Sequence, residues 1–218
     1  PDPMRRSTRL FIPLLLAASV AQAQRAIPSP ASVLGFAPGA DRHLVEWDTI
    51  VRYFRALDSA SNRVTVRELG RTTNGAPFLV AFISSPENLA RLPALRRIQE
   101  RLADPRLAPD TVEAARLIAR GRTFVLMTSS VHSTEVGGHF SPLDIAYRLA
   151  TAPTAAERQV LDRTVLMLVP SMNPDGVTIV SRWYQQTLGT SAEGSGPPEL
   201  YHHYTGHDNN RDWYAFTQ

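Results

Sequence analysis

Two short apolar runs that do not alternate with polar residues constrain this chain more than any other feature. They are Thr123-Phe124-Val125-Leu126-Met127-Thr128 and Val165-Leu166-Met167-Leu168-Val169. The first is bounded by Gly121 and by Ser129-Ser130, and the second ends at Pro170. A strand with one wet face alternates, whereas an unbroken apolar run suits a strand covered on both faces. Between the runs lies a helical pattern from about Gly137 to Ala150, then a shorter one around Glu157 to Leu161. Strand–helix–strand of this kind predicts an α/β fold: a mixed, mostly parallel open sheet with helices on both faces.

Upstream of the runs the pattern is also readable. Asp41 is a candidate cap for a helix in which Leu44, Trp47, Ile50, Val51, Phe54 and Leu57 recur at helical spacing. Val64 to Leu69 alternates like a strand, Phe78 to Ile83 is a second strand, and Thr73-Asn74-Gly75 between them signals a hairpin turn. Helices are expected around Leu92 to Leu102 and over Val112 to Ala119, separated by Pro105 and Pro109. Residues 187–200, with several Gly, Ser and Pro, read as a long surface loop.

The N-terminus reads as an export signal. Met4-Arg5-Arg6-Ser7-Thr8-Arg9 is a basic opening, and Leu10 to Val20 is an apolar stretch too short to span a bilayer. Ala21-Gln22-Ala23 supplies the small-x-small pattern of a cleavage site, so the mature chain is expected to start at Gln24. Pro1-Asp2-Pro3 reads as an upstream extension of the frame. The chain thus divides into a leader over 1–23, a Pro/Ala/Ser/Gly-rich linker over 24–40, and a domain over 41–218. An exported protein, periplasmic or secreted, is expected, with no stable membrane insertion of the mature chain.

Charge is uninformative once the leader is set aside. Of 23 Lys and Arg and 20 Asp and Glu, the leader holds Arg5, Arg6, Arg9 and Asp2, leaving 20 basic against 19 acidic side chains. With no basic run outside the leader, no nucleic-acid partner is expected. Cys is absent (0 of 218 residues), which removes thiolate nucleophiles and thiolate-ligated metals and leaves the chemistry to Ser, His, carboxylates and Arg.

In open α/β sheets, ligands gather beyond the carboxyl ends of the strands, and three unusual clusters fall there. Val131-His132-Ser133-Thr134-Glu135 follows the first run. An imidazole and a carboxylate three residues apart, where a strand turns into a helix, are able to converge on one cation, and zinc accepts such mixed ligation. Pro170-Ser171-Met172-Asn173-Pro174-Asp175-Gly176 follows the second run and reads as a tight turn shaping the rim of a site. Gly206-His207-Asp208-Asn209-Asn210-Arg211-Asp212-Trp213 places a guanidinium beside a carboxamide, a good receptor for a carboxylate. The alternative for Arg211 is a surface pair with Asp212.

Taken in order, His132-x-x-Glu135, Asn173-Pro174-Asp175-Gly176 and Asp208-x-Asn210-Arg211-x-Trp213 resemble the zinc metallocarboxypeptidase family, over roughly residues 44–218. The resemblance implies Zn2+ as cofactor, with His132 and Glu135 as two of three ligands. It implies that Asp208 accepts a hydrogen bond from the other nitrogen of His132, and that Asn210 and Arg211 hold the free C-terminal carboxylate of a peptide or protein substrate. The family's third ligand, a histidine, and its glutamate base lie beyond Gln218. The resemblance therefore implies a catalytic domain truncated at its C-terminus, with no catalytic acid or base among these residues. His202, His203 and His207 come too early for the third ligand and read as loop histidines. Arg182 does not align with the family's oxyanion arginine, and Gln185 and Gln186 stand where a basic residue is expected, so that role is unassigned. Two other functions stay open: amide hydrolysis on small acyl-amino acids or cell-wall peptides, and a binding module that kept the fold without the chemistry.

Overall fold

The computed structural model describes residues 26–104, 106–107 and 110–214. The leader expected over 1–23, and Pro105 and Pro109, lie outside the described residues. Helices α1 (Pro30–Leu34) and α2 (Trp47–Ala60) lead into strands β1 (Val64–Arg71) and β2 (Pro77–Ile83). Helices α3 (Pro86–Ala90), α4 (Leu92–Ala103) and α5 (Thr111–Arg120) precede β3 (Thr123–Thr128). Then come α6 (Gly137–Thr151), α7 (Ala155–Arg163), β4 (Thr164–Val169) and α8 (Pro174–Thr187), with a 3-10 turn at Asn209–Arg211.

The four strands form one open mixed sheet in the order β1-β2-β4-β3. The β1–β2 hairpin and the β2–β4 pair are antiparallel, and β3–β4 is the parallel pair. The hairpin turn falls where Thr73-Asn74-Gly75 predicts it, with Gly75 at φ 82° in the left-handed region. In the parallel pair Thr128 lies beside Val169, so the loops after β3 and β4 start side by side. Backbone hydrogen bonds carry the pairing onward, from Ser129 N to Val169 O at 3.2 Å and from Met172 N to Ser129 O at 2.8 Å.

Helices cover both faces. On one, α2 and α6 bury Trp47, Tyr53, Phe54, Leu57, Leu143 and Ala146 against Leu79, Ala81, Ile83 and Leu168. On the other, Leu92, Leu95, Ile98 and Leu117 of α4 and α5 close over Val165 and Phe124. Full burial of each large apolar side chain stabilises the fold by about 1.5–3 kcal/mol. Among the described residues, no helix is long and apolar enough to cross a membrane.

Four expectations change. Asp41 does not cap α2, which begins at Trp47 behind Glu46. The stretch expected to be a linker is packed where it is described: it contains α1, and Ile27, Val33, Leu34 and Phe36 lie on the core. Asn173-Pro174-Asp175-Gly176 is the start of α8 rather than a free tight turn. Asn173 caps it by accepting from Gly176 N, and Pro174 occupies the first turn, where its missing N–H costs nothing. Finally, β4 is covered on both faces, but β3 lies at the sheet edge with Val125 and Leu126 exposed.

Candidate metal centre

The loop leaving β3 reverses sharply. Ser130, buried, takes a left-handed φ of 55°, an uncommon conformation for a residue with a Cβ. Its neighbour across the loop is Gly138, where a Cβ would sit 3.3 Å from Ser130 N. The reversal presents His132 and Glu135 to solvent just before α6.

His132 stands between two carboxylates. Its Nε2 lies 2.9 Å from Asp208 Oδ1, and its Nδ1 lies 3.2 Å from Glu135 Oε1. A carboxylate only accepts, so in the metal-free protein both contacts are made by ring N–H groups, and a cation at Nδ1 would take the place of the hydrogen there. The Asp208 hydrogen bond first, then that of Glu135, raise the His132 pKa above its ordinary value. Reciprocally, His132 and then the Asn210 N–H lower that of Asp208. A ring nitrogen facing a carboxylate at this distance is a place where a proton and a divalent cation compete.

The donor set fits zinc. Two ligands at about 2.0–2.2 Å on a tetrahedral ion sit about 3.3–3.6 Å apart, close to the 3.2 Å between Nδ1 and Oε1. Among the described residues, no group of three His, Asp or Glu side chains is arranged to hold a metal.

Asp208 caps the 3-10 turn, with the same Oδ1 accepting from Asn210 N at 2.9 Å. Arg211 follows, exposed, with its Nη1 3.5 Å from Asn210 O. Among the described residues it has no ion pair; Asp212 instead meets His207 Nε2 at 3.3 Å. Arg182 is engaged with Glu46 at 3.3 Å. His202 is buried against the Tyr204 ring, while His203 contacts Asn74.

Several residues matter here that the sequence reading passed over. Asn209 Nδ2 donates to Val131 O at 3.0 Å and to the Tyr204 hydroxyl at 2.9 Å, joining the Asp208 turn to the His132 loop. Ser133, fully buried, donates to Asn173 O at 3.2 Å. His139, four residues beyond Glu135, is buried. Its ring approaches the Ser133 backbone without reaching hydrogen-bond geometry, and burial lowers its pKa to about 4, so it is neutral. Beside the loop opens a mainly apolar pocket of about 510 Å³, lined by Leu44, Thr134, Val136, Phe140, Val180 and Tyr184.

The profile of the zinc carboxypeptidase family matches residues 50–218, most of the chain. The chain belongs to that family. No curated protein matches it significantly. Among solved structures it is similar to carboxypeptidase A from Helicoverpa armigera, at 19% identity over 74% of this chain and 32% of that one, with a TM-score of 0.45. It is also similar to a metallo-carboxypeptidase from Burkholderia cenocepacia, at 21% identity over 62% of this chain and 28% of that one, with a TM-score of 0.35. The chain thus spans about a third of the length of these structures.

Proposed function

We propose that this protein is an exported, zinc-dependent peptidase that removes residues from the C-terminus of peptides, with His132 and Glu135 among its metal ligands. The observation that carries the reading is the His132 ring, tied at Nε2 to Asp208 and turned at Nδ1 toward Glu135. Bound there, zinc would polarise the scissile carbonyl and lower the pKa of its water to about 7. The chain's own residues supply position. Asp208 holds His132 in one tautomer, as hydrogen-bonded carboxylates do for ligating histidines. Asn210 and Arg211 receive the terminal carboxylate of the substrate, the guanidinium through paired charge-assisted hydrogen bonds. The leader pattern of residues 1–23 supports export.

Zinc titration tests the ligand assignment. Two protein ligands leave half of a tetrahedral shell to water, so the 218-residue chain should bind zinc weakly. His132→Ala and Glu135→Ala should each abolish that binding. A longer protein that supplies the third ligand should retain zinc stoichiometrically through dialysis. Zinc binding that survives His132→Ala would overturn the assignment.

A further inference from the structure

The start of α8 does more than cap a helix. Asn173 is buried and every polar group it carries is used. Its N–H donates to Ser171 Oγ at 3.0 Å, its carbonyl accepts from Ser133 Oγ, and its Oδ1 accepts from Gly176 N at 3.1 Å. Its Nδ2 donates to Tyr201 O at 3.1 Å. Ser133 is the neighbour of His132, and Tyr201 opens the segment that runs on to Asp208. The same corner therefore grips both chains whose side chains meet at the His132–Asp208 hydrogen bond.

Gly176 is what lets the two chains come this close. A Cβ there would fall 2.4 Å from Ser133 Oγ, 2.4 Å from Tyr201 O and 2.6 Å from Asn173 Nδ2. These are atoms of the two bonds just described, and one of them is backbone, so a side chain must displace the Tyr201 segment. The requirement is space, since Gly176 is not among the glycines with positive φ.

Asp175 anchors the corner to the sheet. Buried in the first turn of α8, it accepts from Thr72 Oγ1 at 2.6 Å and from Asn74 N at 3.1 Å in the hairpin turn. Asn74 Oδ1 in turn lies 3.3 Å from His203 Nδ1, a second tie to the Asp208 segment.

We infer that Asn173, Asp175 and Gly176 are positioning residues for the metal centre: they hold the His132 loop and the Asp208 segment in register, so that the His132 ring stays against Asp208. The consequence for metal binding rests on the assignment of His132 as a zinc ligand; the register of the two segments does not.

The test reads that register directly, by NOEs from the His132 ring protons to Asp208 and to the Asn210 amide in the metal-free chain. The wild type should show these NOEs. Gly176→Ala should lose them, and its zinc affinity should fall by about 10–100-fold, as for loss of a ligand's hydrogen-bond partner. Gly137→Ala, where a Cβ meets nothing within 4 Å, should behave as wild type. Should Gly176→Ala fail to fold, Asn173→Asp serves instead. It keeps the cap on Gly176 N but turns an acceptor toward Tyr201 O, and it should lose the same NOEs. NOEs retained in folded Gly176→Ala or in Asn173→Asp would overturn the inference, as would their absence from the wild type. NOEs present in the wild type and lost in the variants, with no zinc bound by any of them, would uphold the corner and sink the ligand assignment instead.

Discussion

Arg211 is the residue that would make this protein an exopeptidase, and its surroundings leave it available for that role. Its guanidinium is exposed and makes no ion pair among the described residues, while Asp212 is turned to His207. Hydrogen bonds to charged groups contribute about 1.5–3 kcal/mol, or about ten- to a hundred-fold in a rate or affinity. In any longer protein that supplies the remaining zinc ligand and shows the proposed activity, Arg211→Ala should lower kcat/KM on free-acid peptides at least about tenfold. Activity on C-terminally amidated peptides and zinc content should barely change. A surface pair with a carboxylate would be worth less than about 1 kcal/mol and would not depend on the substrate. Equal losses on acid and amide substrates would therefore sink the carboxylate-anchor role. At this scale the sequence is legible where partners are local. His132 and Glu135 lie three positions apart, and their meeting follows from the spacing. Asp208 lies 76 positions from His132, so only the family resemblance pointed to their contact. Gly176 was not legible as a spacer, because the atoms it makes room for belong to loops whose approach no local pattern encodes.

Among the elements, α7 owes its start to a capping box. Thr154 Oγ1 accepts from Glu157 N at 3.2 Å, and Glu157 Oε2 accepts from Thr154 N at 2.9 Å. The Thr154 hydroxyl and N–H, then Arg148, lower the Glu157 pKa from 4.5 to about 2. A carboxylate whose pKa is depressed by folding adds stability above its unfolded value and loses it as pH falls through the folded one. Urea unfolding at a series of pH values should thus show stability falling between about 4.5 and about 2. Glu157→Gln should flatten that window, and an unchanged slope would remove Glu157 from the acid response. The strands and helices α2, α4, α5, α6 and α7 are legible in the sequence to within a few residues, whereas α1, α3 and α8 go unread, as does the capping box despite its sequence signature. Asn173-Pro174-Asp175-Gly176 is different, because one tetrapeptide serves equally as a tight turn and as a cap followed by a first helical turn. Which it becomes depends on whether the residues beyond it find a core. Here Val177 and Val180 do.

Over the whole molecule the unresolved tension lies at β3. Its sequence is that of a strand covered on both faces, and β4, in the sheet interior, behaves so. β3 sits instead at the edge, with Val125 44% and Leu126 61% exposed and Ile118 of α5 exposed nearby. No periodicity rule separates these two strands, since their composition is alike and only their place in the sheet order differs. Among the described residues, nothing pairs with the outer edge of β3. The run Thr123–Thr128 carries no charge, Pro or Gly, and so lacks the features that keep edges from pairing with other chains. The 218-residue chain should therefore self-associate in a concentration-dependent way, measurable by sedimentation velocity. Leu126→Lys places a charge on the exposed part of the edge and should shift the chain toward monomer, with stability changed by no more than about 0.5 kcal/mol, as for surface substitutions in general. Leu107→Lys, also at an exposed leucine but outside the sheet, should leave association as it is. If the wild type sediments as a monomer at every concentration where Leu126→Lys does, or if Leu107→Lys disperses it equally, the β3 edge is not the contact.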